Sequence, residues 1–167
     1  MHFFFEKKDK TNSDLIEEII LEKYNEYYRL AYSYVHNEED ASDIVQNGAY
    51  KALRSSYTLK NPEYVKTWIY RIMLNECLTY LKQPKFFSYE AMEEEKEMEL
   101  GSVQDQYENV DLQNALGVLS KKAQAIIIMK YFEDKKLEEI ADILEENVST
   151  IKSRLYRSIK KLREILS

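Results

Sequence analysis

The chain holds little of what sheets, disulfides and metal sites require. Three glycines and two prolines among 167 residues are too few for the turns that join strands, so we expect an almost wholly helical protein. The single cysteine, Cys77, excludes an internal disulfide, and His2 and His36 are isolated, so we expect no metal site. No apolar run approaches the ~20 residues of a membrane span. We therefore expect a cytoplasmic protein without direct membrane insertion.

The negative charge is concentrated in one segment. The net charge of −6 disfavours a nucleic-acid partner, but residues 90–108 alone contain eight acidic residues and one lysine. Residues 148–167 instead contain six Lys or Arg and one Glu. This distribution predicts an N-terminal extension (residues 1–13), a helical domain (14–82), an acidic linker (83–108) and a second helical domain (109–167).

The last thirty residues are the most informative part of the chain. Their apolar spacing predicts a helix from Leu137 to Leu144, a short turn, and a long helix for which Asn147 is a suitable N-cap. Opposite the apolar stripe of the long helix lies a polar and basic face: Ser149, Thr150, Lys152, Ser153, Arg154, Arg157 and Lys160. Two helices with a short turn and a basic second helix are typical of a helix-turn-helix DNA reader. A basic face that is only solvated remains the alternative.

The spacing of apolar residues predicts three helices in the first domain. The pattern predicts that the first runs from Asp14, as a possible cap, to Val35, and that the second begins near Glu38 to Asp40. Gly48 interrupts the apolar stripe of the second helix at a cost of about 1 kcal/mol in helix propensity, so we infer that another helix approaches closely there. The outward face of this helix carries acidic and amide residues: Asp40, Asp43, Gln46 and Asn47.

The third helix follows Asn61-Pro62, a pair that suits a helix start, and runs to about Lys82. Four polar residues recur every four positions and form one ridge near Lys66 and Trp68: Thr67, Arg71, Asn75 and Thr79. Aromatic, amide and cationic groups together can bind unpaired DNA. The alternative is that Trp68 belongs to the core and Arg71 is an ordinary surface residue.

Four segments, in order and in register, resemble the extracytoplasmic-function group of the sigma-70 family. They are residues 37–46 (NEEDASDIVQ), 65–75 (VKTWIYRIMLN), 137–144 (LEEIADIL) and 150–157 (TIKSRLYR). The resemblance implies an all-α fold of two small helical domains, a region 2-like bundle and a region 4-like helix-turn-helix domain, joined by the acidic linker. It also implies a transcription initiation factor for envelope or extracytoplasmic stress.

The resemblance assigns roles to the faces already described. The core polymerase surface, which would dock on the β′ clamp coiled coil, comprises Asp40, Asp43, Ile44, Gln46 and Asn47. The part that opens and reads the −10 promoter element comprises Lys66, Thr67, Trp68, Arg71 and Asn75, and the helix-turn-helix face would read the −35 element. Tyr131-Phe132 would contact the β flap, and the linker would extend toward the RNA exit channel. An anti-sigma factor, often membrane-bound in this family, is a further implied partner.

Three residues depart from the family pattern. Asn47-Gly48 stands where many relatives have an acidic residue followed by a small or β-branched one, and Glu145 occupies a turn position where relatives often have Gly.

No nucleophile–base pair or phosphate-binding glycine loop is evident, so we expect no enzyme activity and no cofactor. Two other classes stay open: a stand-alone helix-turn-helix repressor and a helical adaptor without a DNA role.

Overall fold

A computed structural model describes residues 11–84 and 112–166 of the protein. All regular elements in these two ranges are helical, and no helix in them is long and apolar enough to cross a membrane. The first domain contains α1 (Asn12–Glu22), α2 (Tyr24–Val35), α3 (Glu38–Arg54) and α4 (Val65–Tyr80). The second contains α5 (Leu112–Leu116), α6 (Lys121–Ile127), α7 (Leu137–Leu144) and α8 (Val148–Leu166). Most of the predicted linker and N-terminal extension lies outside the described residues.

The predicted single helix from Asp14 to Val35 is wrong, because the helix is interrupted at Lys23, between α1 and α2. A continuous helix would place Lys23 within the buried stripe, since it lies seven residues after Ile16. The N-cap of α1 is Thr11 instead of Asp14. The Thr11 side chain accepts a hydrogen bond from the Asp14 N–H at 3.1 Å, and the Asp14 carboxylate accepts one from the Thr11 N–H at 3.4 Å.

Close packing of α3 on α4 explains the glycine in the apolar stripe. A Cβ atom at Gly48 would overlap Met73 Sδ and lie 3.2 Å from Met73 Cε, and Met73 is itself fully buried. Glycine, which has no side chain, leaves the space beside α3 that the end of the Met73 side chain of α4 fills. The predicted close approach at Gly48 is therefore confirmed.

The helix-turn-helix forms as predicted, with α7 and α8 joined by residues 145–147. Asn147 caps α8, because its Oδ1 accepts a hydrogen bond from the Thr150 N–H at 2.8 Å. Glu145 adopts the left-handed conformation (φ 57°, ψ 42°), and the Glu146 N–H donates to the Ala141 carbonyl at 3.0 Å. This is the Schellman arrangement, in which Gly is the usual residue at the left-handed position.

The two domains pack on one another and share a continuous apolar core. In the middle of the contact, Gln124 Nε2 donates to Ser33 O at 2.6 Å and to Ser33 Oγ at 3.0 Å, and all these groups are buried. At its edge the Arg29 guanidinium binds both oxygens of Glu133, at 2.6 and 3.0 Å. The contact therefore combines satisfied buried polar groups with a bidentate ion pair.

Candidate nucleic-acid interface

The outward face of α8 is available to a partner. Its apolar side, which includes Ile151 and Leu155, is buried against α6 and α7. Five of the seven residues predicted to read DNA are exposed: Ser149, Lys152, Ser153, Arg157 and Lys160. Thr150 is half-buried, and Tyr156 adds a ring that is 63% exposed to the same face. We call this surface the reading face.

Arg154, the remaining residue of the predicted set, does not project freely from α8. Its Nη1 lies 2.7 Å from Glu146 Oε1, and only 25% of its side chain is exposed. Lys122 Nζ on α6 lies 3.5 Å from the same Glu146 oxygen. The hydrogen bond from Arg154, and secondarily the charge of Lys122, lower the pKa of Glu146 below its ordinary value. Arg154 is therefore held by a partner inside the domain.

The predicted polar ridge on α4 is divided between two environments. Thr67 and Arg71 face the second domain, where the Arg71 guanidinium donates through Nε to Ile143 O at 3.1 Å and through Nη2 to Asp142 O. The Glu145 carboxylate lies 3.7 Å from Arg71 Nη1. These carbonyls belong to the C-terminal end of α7, which has no intrahelical donors for them, so Arg71 acts as a cap from another domain.

The other half of the ridge lines a groove between α3 and α4. This α3–α4 groove has a volume of about 520 Å³, and Asn75 and Thr79 line it from α4. Lys51, Arg54 and the 83% exposed Tyr57 line it from the other side. The ridge is divided because residues spaced by four advance about 40° around a helix at each step, so its two ends face different neighbours. Lys66 is exposed and Trp68 half-buried against the core.

A buried carboxylate forms part of this groove. Glu76 is 5% exposed, and its Oε1 forms an ion pair with Lys51 Nζ. The geometry of this pair is not that of a hydrogen bond. The groove thus offers cationic, amide and aromatic groups around one fixed negative charge. Such a mixture suits a polar planar ligand that carries both donors and acceptors.

The acidic face of α3 is only partly solvent-exposed. Asp43, Gln46 and Asn47 are exposed, but Ile44 is fully buried. Asp40 is 8% exposed, and its carboxylate accepts hydrogen bonds from Tyr80 Oη and Asn37 Nδ2, both at 2.7 Å. The expectation that Asp40 faces solvent is therefore wrong.

The position of Asp40 in the first turn of α3 offered a signal in the sequence. It stands three residues after the N-cap Asn37, and its own N–H donates to Asn37 Oδ1 at 2.8 Å. Burial, and next the hydrogen bond to Asp40, raise the pKa of Tyr80 above its ordinary value. Periodicity did not reveal Tyr80 as the partner, because the two residues lie forty positions apart.

Comparison with known families decides what these faces belong to. The model of sigma-70 region 2 matches residues 19–86, and that of sigma-70 region 4 matches residues 109–162. The RNA polymerase sigma factor SigV of Bacillus subtilis is 42% identical over 158 residues, which cover 94% of each chain. This chain belongs to the sigma-70 family. It is a sigma factor of the extracytoplasmic-function group, which confirms the resemblance and the two-domain all-α fold.

More distant relatives agree with this assignment. The sigma factor SigW of Bacillus subtilis is 25% identical, with 94% of this chain and 91% of SigW covered. Among solved structures, CnrH in complex with the cytosolic domain of CnrY has a TM-score of 0.67 at 20% identity, covering 90% of this chain and 86% of CnrH. RpoE in complex with the anti-sigma factor NepR from Bartonella quintana has a TM-score of 0.62 at 24% identity, covering 90% and 95%. These two structures support the fold.

An exposed aromatic residue of the sigma factor also stands at the end of α6. Residues Ile128–Phe132 continue α6 as a π-helical turn, in which Tyr131 is 55% exposed and Phe132 packs against the core. Only Tyr131 of the predicted Tyr131-Phe132 contact is thus free to meet a partner.

Within the described residues, no group of three or more metal-ligating side chains occurs.

Proposed function

We propose that this sigma factor recruits core RNA polymerase to a restricted set of promoters, as an alternative sigma factor for envelope or extracytoplasmic stress. The observation that carries the proposal is the exposed reading face of α8, at the end of a helix-turn-helix, in a chain that also matches region 2. A sigma factor of this kind is an initiation factor and catalyses no reaction itself. It acts in the cytoplasm, where polymerase and chromosome are located.

Recognition of the −35 element is the role of the reading face. We assign Lys152, Ser153 and Arg157 to base edges in the major groove, because they lie on the first turns of α8 and are exposed. Ser149 and Lys160 lie at the two ends of the same face and would contact backbone phosphates. Loss of Arg157 should relax the preference at one base pair at a cost of about 1–3 kcal/mol, whereas loss of Lys160 should weaken all promoters alike.

Polymerase binding is the role of the exposed part of α3. Asp43, Gln46 and Asn47 would meet the β′ clamp coiled coil, and Asp40 and Ile44 would support this surface from behind. We assign Tyr131 to the β flap. The acidic linker, residues 83–108, would follow the path of the transcript toward the RNA exit channel.

Promoter opening is the role of α4. An unpaired base of the −10 element would enter the α3–α4 groove beside Asn75, where amide and aromatic groups replace the stacking lost from the duplex. Lys66, Thr67 and Arg71 would accompany the strand, with Trp68 supporting them. Arg71 is bound to α7 in the structure, so this role requires the two domains to separate.

An anti-sigma protein is the remaining partner. Both solved structures are complexes with a second protein: CnrH with the cytosolic domain of CnrY, and the sigma factor RpoE with the anti-sigma factor NepR. We propose that this chain is likewise held inactive by an anti-sigma factor, which the family resemblance suggests is membrane-bound.

The test of the whole proposal is run-off transcription from a genomic fragment library with purified core polymerase and the full chain. Discrete transcripts that need both components are expected. A protein that binds specific DNA tightly without polymerase, and directs no transcript, would be a repressor, and one that does neither would be an adaptor.

The role of α4 has its own test. Asn75→Ala and Arg71→Ala should form closed complexes but open duplex promoters slowly, and a template with a preformed bubble over the −10 element should rescue them. Permanganate footprinting of unpaired thymines measures opening. Asn25→Ala, an exposed amide on α2, is the matched control. Normal opening of duplex DNA by both α4 variants would contradict the assignment.

A further inference from the structure

Arg154 and Glu146 form a partly buried ion pair in the helix-turn-helix, with 2.7 Å between Nη1 and Oε1, yet neither lies on the reading face. We propose that these two residues are positioning residues, which hold the start of the reading helix in the orientation that the −35 element requires, and that Arg154 does not contact DNA. This inference rests on the proposed role of α8 as the −35 reader.

The Arg154 side chain projects away from the centre of the reading face. At 100° per residue, Arg154 lies about 120° around α8 from the centre of the reading face, on the side that turns toward α6. Its side chain is three-quarters buried, and its Nη1 lies 2.7 Å from Glu146 Oε1. Arg157, less than one turn further along the helix, is exposed. The two arginines therefore have different surroundings although both were predicted to read DNA.

Glu146 contacts three helices: α6, α7 and α8. Its N–H donates to Ala141 O of α7 at 3.0 Å, and its carboxylate contacts Arg154 of α8 at 2.7 Å and Lys122 of α6 at 3.5 Å. The carboxylate is 21% exposed, so water screens these charges less than it screens a fully exposed pair. Movement of α8 relative to α7 would break the pair with Arg154.

The turn needs such a constraint because its conformation is unfavourable for its sequence. Glu145 holds a left-handed backbone that Gly adopts more readily, and the three-residue turn contains no glycine or proline. A helix that reads bases must be placed within a fraction of an ångström, since hydrogen bonds to base edges weaken steeply with distance and angle. Loss of the Arg154–Glu146 pair should thus lower affinity for every −35 sequence without removing any phosphate contact.

The test measures binding of holoenzyme, made from core polymerase and the full chain, to fluorescent promoter duplexes over a range of salt concentrations. The variants are Arg154→Met, Glu146→Gln, their double mutant, and Arg157→Met as the matched control on the reading face. Arg154→Met and Glu146→Gln should each weaken binding by about three- to tenfold on all −35 sequences, with an unchanged salt slope. The double mutant should be no weaker than either single variant.

Arg157→Met should behave differently, by lowering the salt slope by about one or by relaxing the preference at one −35 base pair. A lower salt slope for Arg154→Met, or additive losses in the double mutant, would overturn the inference and return Arg154 to the DNA contacts. If Arg157→Met has no effect, the reading face is wrongly assigned, and urea unfolding then measures the coupling between Arg154 and Glu146. Additive effects of Arg154→Met and Glu146→Gln on the unfolding equilibrium constant would overturn the inference that the two residues act as a pair.

Discussion

Two aspartates on one helix provide the sharpest test of the polymerase surface. Asp40 and Asp43 stand three positions apart on α3 and were predicted to act together, but only Asp43 is exposed. We expect Asp40→Ala to destabilise the first domain strongly and Asp43→Ala to leave it stable. Core polymerase binding should be lost in Asp43→Lys while its unfolding free energy stays within about 0.5 kcal/mol of wild type.

The magnitude for Asp40 follows from its hydrogen bonds. The carboxylate accepts from Tyr80 Oη and from Asn37 Nδ2, each at 2.7 Å, and the bond from Tyr80 is buried while the bond from Asn37 is partly buried. Hydrogen bonds to a charged group contribute about 1.5–3 kcal/mol each. Asp40→Ala also removes the acceptor that lies 2.7 Å from the Tyr80 hydroxyl, whereas Asp43 Oδ2 lies 3.4 Å from it. We therefore expect a loss of about 3–5 kcal/mol, a large part of the stability of a small domain.

Urea unfolding followed by far-ultraviolet circular dichroism measures the stability difference, and a pull-down with core polymerase measures binding. Tyr80→Phe in the Asp40→Ala background should recover about 1 kcal/mol, because it removes a largely buried hydroxyl that has lost its 2.7 Å acceptor. An Asp40→Ala variant within about 0.5 kcal/mol of wild type would refute the buried role. An Asp43→Lys variant that binds core polymerase normally would refute the surface role.

Three further predictions concern the packing and the turn. Glu145→Gly should raise the free energy of unfolding by about 0.5–1 kcal/mol by relieving the left-handed backbone, and a lower melting temperature in calorimetry would contradict this. Gly48→Ala gains about 1 kcal/mol of helix propensity, but the new Cβ must displace the flexible end of Met73, so urea unfolding should show a stabilisation smaller than this gain. In a Met73→Ala background the same substitution should give the full gain, and an equal or smaller gain there would refute the packing argument. Because Arg154, and next Lys122, lower the pKa of Glu146 in the folded state, its stabilisation is complete above the unfolded pKa and is lost as pH falls through the folded one. The stability gap between wild type and Glu146→Gln should therefore be full above the ordinary pKa of glutamate and should narrow as pH falls below it, and a gap that is constant over pH would contradict this.

Local features of the fold could be predicted from the sequence because they depend on neighbours along the chain. The helix-turn-helix follows from apolar spacing in α7 and α8 and from the cap Asn147, and the structure confirms both. Gly48 likewise indicated a close helix contact before its partner Met73 was known. The break at Lys23 was missed, since both sides of it keep helical periodicity and no glycine or proline marks it.

Which polar residues face solvent was decided by tertiary structure. Periodicity places Asp40, Arg71 and Arg154 on outward faces of their own helices, but each is bound by a group distant in the sequence or across a turn: Tyr80, the α7 carbonyls and Glu146. A helical pattern states which side of a helix is polar, and it contains no information about the neighbour that this side meets. The sequence by itself therefore determined the helix-turn-helix, the family and the polar side of α8, and only packing between helices divided the predicted site into exposed contacts and the residues that hold them in place.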